Sequence, residues 1–346
     1  MNKHNVISID LAKDIFEICV ISSTGKLLSR HTVKRNKLAS FMVKQSLAVV
    51  AMEACGGAHF WARCFSKMGH QVVMLPPKAV TPFRQGQKTD ANDALAIGEA
   101  SLRPTVRPVA IKSLDQQSLQ SMLRMREHLS HELTAASNMM RGLLLEYGEV
   151  FRKGFAALKQ HLPLILENAE NELPMAFRES LGRMWQHWLL LEQTLKDFEK
   201  PLRSEIDRIA VCRRLQQLEG VGPINAAGLY IVLGDGKNFS SGREASAYIG
   251  LTPKQHSSGG KVSMRGIGKT TGHKQLRSTL IQGARSIVHK KCPANAKGEW
   301  LHRLILRAGH GKASVALANR TVRQAWAMLN YDEDYNANKG AAVMAA

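Results

Sequence analysis

The sequence predicts a mixed α/β domain at the N-terminus, then a long helical region and a mainly helical C-terminal domain. Short apolar runs rich in Val and Ile alternate with helical stretches over roughly the first hundred residues. From residue 113 to about residue 209, apolar residues instead recur at three- and four-residue steps among charges of both signs. Because 346 residues exceed the usual size of one domain, we expect two or three compact units.

The N-terminal domain is predicted to begin with three consecutive strands joined by tight turns, at residues 6–11, 16–21 and 27–33. A helix, a strand, a second helix and a last strand follow, at about 37–45, 47–54, 59–68 and 71–75. The run 47–54 is too apolar for a half-exposed strand, which favours a position inside the sheet. The predicted fold is therefore an antiparallel meander extended by parallel strands.

These patterns divide the chain into four segments. We predict a catalytic α/β domain at 1–112, a helical coiled-coil and oligomerisation region at 113–210, a C-terminal domain at 211–335 and a disordered tail at 336–346. In the helical region, two long helices are expected to pair in antiparallel fashion on either side of an irregular piece near 163–174. Two further helices are expected near 274–290 and 313–329.

Positive charge is concentrated in one stretch of the chain. The formal net charge is +20, and residues 237–312 hold 15 Lys and Arg against 2 Asp and Glu, which is +13 of that total. Such a surplus favours a polyanionic partner, and nucleic acid is the first candidate. No stretch there sets Lys and Arg opposite Trp and Phe as a membrane-surface helix does, so no membrane partner is expected.

The cysteines and the N-terminus exclude other classes. Five cysteines are scattered without Cys-x-x-Cys pairs or regular His spacing, so neither a zinc site nor a disulfide framework is predicted. The chain opens directly into a strand-like run rather than a signal peptide, which makes a cytoplasmic location the expectation.

Four acidic residues are the strongest candidates for chemistry. Asp10 lies within the first predicted strand and Glu53 ends the apolar run, and a buried carboxylate costs several kcal/mol unless a cation or hydrogen bonds compensate it. Asp90 and Asp93 would share one face at the start of a helix. Carboxylate oxygens suit hard divalent cations, so the set predicts a shared metal site. Alternatively, Asp90 could cap its helix and Glu53 could pair with Arg63.

Two glycine-rich segments indicate contacts with phosphate. The turn Gly220-Val221-Gly222-Pro223 resembles that of a helix-hairpin-helix, although such a turn can also simply join two packed helices. The segment at 256–261 places Ser257 and Ser258 in a flexible turn of the most basic stretch. A plain mobile loop has the same composition. The basic residues predicted to bind nucleic acid are Lys254, Lys261, Arg265, Lys269, Lys274 and Arg277, and His256 could deprotonate a serine.

Together, these segments resemble the insertion-sequence transposases of the DEDD type, which have a RuvC-like N-terminal domain and are understood as bridge-RNA-guided recombinases. The matching segments lie at 9–13, 52–56, 88–94, 220–223 and 248–253, followed by Ser258-Gly259, in the order typical of that family. The resemblance implies an RNase H-like first domain, a coiled-coil insert and a C-terminal domain with a nucleophilic serine.

On that pattern, Asp10, Glu53, Asp90 and Asp93 would bind Mg²⁺ or Mn²⁺, and Ser258 rather than Ser257 would be the nucleophile. Family members form dimers that assemble into tetramers, in which the acids of one subunit meet the serine of another. The implied partners are donor DNA, target DNA and a structured bridge RNA, and the active protein would be associated with a prokaryotic nucleoid.

Three functions therefore compete. Strand exchange through a covalent serine–DNA intermediate uses both the acids and Ser258. A RuvC-like junction resolvase with a metal-activated water would use only the acids. An architectural nucleic-acid-binding protein would explain the charge but would leave four costly acids without a role.

Overall fold

The computed structural model describes residues 5–87, 89–268, 272–290 and 296–336. The chain divides into two compact units, Met1–Ser113 and Leu114–Ala346, which are called unit 1 and unit 2 below. Apart from Asn336, the predicted tail lies outside the described residues. Among the described helices, none combines the length and the apolar character that crossing a membrane requires.

Unit 1 is a mixed five-stranded sheet with helices. Its strands are β1 (Val6–Asp10), β2 (Ile15–Ile21), β3 (Leu27–Lys34), β4 (Val49–Glu53) and β5 (Gln71–Leu75). Its helices are α1 (Arg35–Val43), α2 (Ala58–Lys67), the short α3 (Pro77–Val80) and α4 (Asp90–Ser101). The strand order is β3-β2-β1-β4-β5. The first three strands pair antiparallel and β4 and β5 add in parallel, which confirms the predicted meander with parallel additions.

Strand alternation divides the core of unit 1 between the two faces of the sheet. Ile7 and Ile9 pack in one cluster with Trp61 and Phe65 of α2. Val6 and Ser8 alternate with these two residues and belong to the opposite face of the sheet. There Val6 packs in a second cluster with residues of α4. A Cβ atom on Gly98 of α4 would lie 2.9 Å from the Ser8 hydroxyl oxygen, so only glycine allows this approach. Helix α4 therefore lies directly against β1.

Unit 2 is mainly helical, as the sequence predicts. Its helices are α5 (Leu114–Leu145), α6 (Phe155–Glu167), α7 (Met175–Arg208), α8 (Ala210–Leu215), α9 (Pro223–Leu233), α10 (Gly242–Ile249), α11 (Lys274–Val288) and α12 (Ala296–Asn330), the last broken at Gly309. Between α10 and α11 lies a hairpin of β6 (Pro253–Ser258) and β7 (Lys261–Ile267).

The long helices α5 and α7 run antiparallel. Arg126 of α5 forms a 2.6 Å ion pair with Glu199 of α7, whereas further along α5 the Leu133 carbonyl accepts a 3.1 Å hydrogen bond from Trp188 Nε1. The predicted irregular piece at 163–174 is wrong at its start, since Pro163 lies inside α6. Leu158, Leu162 and Ile165 of α6 are buried in the same cluster as Trp188, and this burial outweighs the hydrogen bond that proline removes.

The other ends of α5 and α7 belong to the C-terminal core. Leu119 of α5 and Leu202 of α7 are buried in one cluster with Leu229, Leu280 and Leu317. These helices are therefore continuous with the core of the C-terminal helices, and unit 2 has no break in packing near residue 210. The predicted oligomerisation role of the helical region stays a prediction.

The Gly220–Pro223 turn joins α8 and α9 and packs against α11. Gly220 has a φ of +78°, and a Cβ atom on Gly283 would lie 2.1 Å from the Gly220 carbonyl oxygen. Asn225 Nδ2 donates a 3.2 Å hydrogen bond to the Thr279 carbonyl, which ties α9 to the same helix. These contacts account for Gly220 by packing, which is the alternative that the sequence leaves open, whereas a Cβ atom on Gly222 would have nothing within 4 Å. A phosphate contact at the turn stays a prediction.

We expect Gly283→Ala to destabilise unit 2 by about 1–3 kcal/mol, because the added methyl group meets a backbone oxygen that cannot rotate away. Gly142→Ala is the matched control, since a Cβ atom on Gly142 of α5 has nothing within 4 Å and alanine favours a helix by about 1 kcal/mol. Thermal unfolding should give a lower midpoint for the first variant and an unchanged or higher one for the second. Equal midpoints would contradict the close packing of the turn on α11.

Candidate active site

The sheet of unit 1 brings Asp10 and Glu53 side by side. Asp10 is the last residue of β1 and Glu53 the last of β4, and these parallel strands pair with Ile9 opposite Met52. Asp10 alternates in step with Val6 and Ser8, so its side chain belongs to the face that α4 covers. Glu53 shares that face because Val49 and Ala51 pack in the α4 cluster. Both carboxylates thus lie at the C-terminal ends of neighbouring strands and on the same face of the sheet.

The first turn of α4 supplies the other two acids. Thr89 is the N-cap, and its hydroxyl oxygen accepts a 3.3 Å hydrogen bond from the Asn92 amide, so Asp90 is not the cap but the first helical residue. Asp93 follows one turn later. The Cys19 sulfur of β2 lies 3.8 Å from the Ala91 carbonyl oxygen, which anchors this turn to the sheet. Arg63, the alternative partner for Glu53, donates a 2.9 Å hydrogen bond to the Lys112 carbonyl.

Burial and the other three acids raise the pKa of Asp10. The pKa of Asp10 is raised from 3.8 to about 6, first by burial and then by the negative charges of Asp90, Asp93 and Glu53, with a smaller effect of Glu17. Burial also raises the pKa of the neighbouring Cys55 thiol, with Glu53 and Asp10 contributing. The fold thus concentrates negative charge around Asp10.

A hard divalent cation fits this set of donors. All four side chains offer carboxylate oxygens. The pKa of Asp10 is raised first by burial and then by repulsion from the other acids, and a bound cation would offset both effects. Within the described residues, no three His, Cys, Asp or Glu side chains form a ready-made metal site. In this conformation, Arg84 Nη1 instead lies 3.3 Å from Asp93 Oδ1.

Arg84 is a residue that sequence reasoning missed. It precedes Asp93 by nine positions and lies in an irregular segment, so neither helical nor strand periodicity links the two. The one signal in the sequence is that this positively charged residue shortly precedes a helix whose first turn carries two acids. The Arg84 side chain is about one-third exposed, so its ion pair with Asp93 is partly solvated.

Ser258 lies in unit 2 at the end of a β-strand rather than in a flexible turn. It pairs with Lys261 across Gly259 and Gly260, whose φ angles are +53° and +77°. Two glycines with positive φ form the tight turn that the right-handed twist of a hairpin requires, and this signal was present in the sequence. Every residue of β6 is exposed, so the Ser258 side chain is accessible.

The predicted nucleic-acid-binding residues differ in exposure. Lys254, Lys261 and Arg265 are exposed on the hairpin, with His256 beside them on β6, and Lys274 is exposed at the start of α11. Arg277 is only 6% exposed, because its turn of α11 faces the core, so this conformation offers it no phosphate contact. Lys269 lies outside the described residues.

Comparison with known proteins identifies the family. A family profile described as transposase, of the DEDD type found in IS110, matches residues 7–149, and one described as transposase IS116/IS110/IS902 family matches residues 212–298. A transposase for insertion sequence element IS1111A from Coxiella burnetii is 38% identical over 97% of this chain and 92% of its own length. The chain belongs to the IS116/IS110/IS902 family of transposases. It is therefore an enzyme that acts on DNA.

Other relatives of this transposase extend the comparison. A probable family 20 transposase from Pseudomonas aeruginosa is 38% identical over 95% of this chain and 98% of its own length. A pilin gene-inverting protein from Moraxella lacunata is 23% identical over 84% of this chain and 85% of its own length. The DEDD profile spans Asp10, Glu53, Asp90 and Asp93, and the second profile spans Ser258. Transposase domains of the DEDD type are usually metal-dependent.

Proposed function

We propose that this transposase exchanges DNA strands through a covalent serine–DNA intermediate formed at Ser258, with Asp10, Glu53, Asp90 and Asp93 as a Mg²⁺- or Mn²⁺-binding tetrad. The observation that carries the proposal is the concentration of four acids on one face of the sheet, with the pKa of Asp10 raised to about 6. A stable fold would avoid this repulsion unless the site served a positively charged ligand.

The acids and the serine have separate tasks in this mechanism. Asp10 and Glu53 are held by paired strands and Asp90 and Asp93 by a capped helix, so four oxygen donors have fixed backbones. A divalent cation bound by them would supply positive charge to the scissile phosphate. The cations of the hairpin, Lys254, Lys261 and Arg265, would hold the DNA backbone beside Ser258.

The covalent step conserves the phosphodiester bond. The Ser258 hydroxyl loses its proton to a base as its Oγ atom bonds to phosphorus, and the bond from phosphorus to one sugar oxygen breaks while that oxygen takes up a proton. A sugar hydroxyl of the new DNA end then attacks the same phosphorus and releases Ser258. Each step exchanges one phosphoester for another, so no external energy source is required. His256, exposed on the same strand, is the nearest candidate base along the chain.

Nucleic acids and further copies of the chain complete the proposal. Donor and target DNA are the substrates, a structured bridge RNA pairs with both, and the protein acts as a dimer or tetramer. The 15 Lys and Arg against 2 acids at 237–312 support binding to more than one phosphate backbone. The name of the pilin gene-inverting relative describes rearrangement of DNA, which supports recombination as the outcome.

A second candidate is a RuvC-like nuclease that resolves DNA junctions with a metal-activated water. The observation favouring it is that all four acids belong to unit 1, so they form a complete set without Ser258. The hairpin would then only clamp DNA.

The covalent bond itself separates the two mechanisms. Wild-type protein should be incubated with the element's junction DNA, the matching RNA and Mg²⁺, and the denatured products should be separated on a gel. We expect a protein–DNA adduct whose peptide map places the nucleotide on Ser258, and we expect none when EDTA replaces Mg²⁺. Omitting the RNA should abolish the adduct if the RNA guides the reaction. Cleavage without any adduct would overturn the serine mechanism and support the nuclease.

A further inference from the structure

Unit 2 contains a large cavity beside the hairpin that carries Ser258. Its volume is about 1460 Å³, and its walls come from the hairpin, the start of α10 and both parts of α12. Small-molecule sites typically measure about 300–1,000 Å³, so this cavity is larger than one metabolite needs. A segment of a polymer is therefore the more suitable occupant.

Five basic side chains line this cavity. They are Arg243 of α10, Arg265 of β7, and Lys312, Arg320 and Arg323 of α12. No acidic residue is among the lining residues, and none of the five forms an ion pair within the part of the chain that the structure describes. Five cations that face one cavity without counter-charges repel one another. Their arrangement is therefore suited to an anionic ligand with several charges.

The interior of the cavity is apolar and aromatic. Trp300 and Trp326 line it together with Leu251 and Val315. The Trp326 indole is fixed by a 2.9 Å hydrogen bond from Nε1 to the Gly236 carbonyl. The Arg320 guanidinium carbon lies 5.1 Å from the centre of the Trp300 ring, so cation and aromatic ring form a stacked pair at the wall. Both flat groups offer surfaces on which a nucleobase can stack.

From this combination, we infer that the cavity binds an unpaired segment of nucleic acid, with its bases on Trp300 and Arg320 and its phosphates on the surrounding cations. A duplex presents phosphates but hides its bases, so it would leave the aromatic interior unused. Free phosphate or a small anion would satisfy the cations but would not fill the apolar space. An unpaired strand matches both features. The inference deepens the proposed function, because strand exchange and RNA guiding both produce unpaired nucleotides near the hairpin.

Binding should be measured in the full-length Ser258→Ala background, where no covalent adduct can form, so that the result does not depend on strand exchange. The probes are a fluorescent single-stranded DNA, the RNA of the same sequence, their duplex, and a single-stranded DNA of equal length without bases. We expect the base-containing single strands to bind more tightly than the duplex and the abasic strand. Preference between DNA and RNA identifies which unpaired strand the cavity takes.

Two variants isolate the cavity's contribution. Trp300→Ala should weaken single-strand binding about 5- to 150-fold, as removal of one base-stacking surface does, and should remove the preference for bases over abasic sites. Trp300→Phe should keep that preference and controls for misfolding. Arg323→Gln should reduce the slope of log affinity against log salt by about 0.7 for each phosphate that the protein no longer neutralises. Arg203→Gln, an exposed arginine of α7 away from the cavity, is the matched control.

The inference would be overturned if the abasic strand or the duplex bound as tightly as the base-containing single strand. An equal decrease in affinity in the Arg323 and Arg203 variants would also overturn it, because the charge effect would then be general. A different result is possible, in which wild-type protein forms no covalent adduct but still binds the base-containing single strand more tightly than the duplex and the abasic strand. That result would refute the serine mechanism and leave the inference about the cavity intact.

Discussion

The Ser258→Ala variant is expected to form no covalent adduct with DNA, while binding the same DNA and RNA as tightly as the wild-type protein. The variant removes only the hydroxyl oxygen that would bond to phosphorus. Ser258 is exposed at the end of β6, so its packing is unaffected and the hairpin should fold unchanged. A denaturing gel measures the adduct, and fluorescence anisotropy measures binding.

Ser257→Ala is the control for this result. Ser257 and Ser258 are neighbours on one strand and are both exposed, but successive side chains point to opposite faces of the hairpin. Ser257→Ala should therefore keep the adduct near the wild-type level. If Ser257→Ala abolished the adduct and Ser258→Ala kept it, Ser257 would be the nucleophile. If both variants cleaved DNA as the wild-type protein does, water would be the nucleophile.

Asp10→Asn is expected to lower the rate of DNA cleavage by about 10²–10³-fold or more. A metal ion contributes several kcal/mol of transition-state stabilisation, and each 1.36 kcal/mol corresponds to a tenfold rate. The amide keeps the size of the side chain but removes the charge that the cation needs. Asp14→Asn, four positions later and exposed, makes the same change of charge outside the tetrad and should cleave DNA normally.

Asp10→Asn is also expected to stabilise the metal-free protein above pH 6. The pKa of Asp10 is about 6 in the folded protein against 3.8 as its ordinary value, so folding favours the protonated form. The penalty for the charged carboxylate is absent below pH 3.8, grows between pH 3.8 and 6, and is complete above pH 6. The unfolding midpoint of Asp10→Asn should therefore exceed that of wild type at about pH 7.5, and this gain should shrink towards about pH 4.

Adding Mg²⁺ should reverse the order of these midpoints. A ligand that binds the folded state raises the midpoint, so wild type should gain stability with Mg²⁺ while Asp10→Asn gains little. Asp14→Asn should respond to Mg²⁺ as wild type does. A wild-type midpoint that did not depend on Mg²⁺, together with an inactive Asp10→Asn variant, would assign Asp10 a role other than binding metal.

The sheet and its acids were largely predictable from the sequence because strand alternation and burial leave clear patterns. Asp10 lies within one apolar run and Glu53 ends another, and the parallel pairing of β1 with β4 follows from the meander and the crossover helix. The apolar pattern did not predict which face of the sheet α4 covers. The packing of α4 on the side of Val6 places the helix that carries Asp90 and Asp93 on the same face as Asp10 and Glu53.

Other features depended on contacts distant in sequence. Arg277 looks like any cation of a basic stretch, and its burial depends on how α11 packs on the C-terminal core. The cations of the cavity are spread from Arg243 to Arg323, so no local pattern groups them. Residues 256–258 resemble a mobile loop in composition, and the two following glycines were the only sign of a hairpin. Periodicity reports local structure, whereas these properties arise from tertiary packing.

The hairpin that carries Ser258 has no interior of its own. All residues of β6 and all but the last of β7 are exposed, including Val262 and Met264 at 62% and 61%. A two-stranded sheet with no covered face is marginally stable in water. The position of the Ser258 side chain therefore depends on what packs against these two strands. On the proposed mechanism, the Ser258 hydroxyl would therefore be aligned for attack only while its substrate is bound.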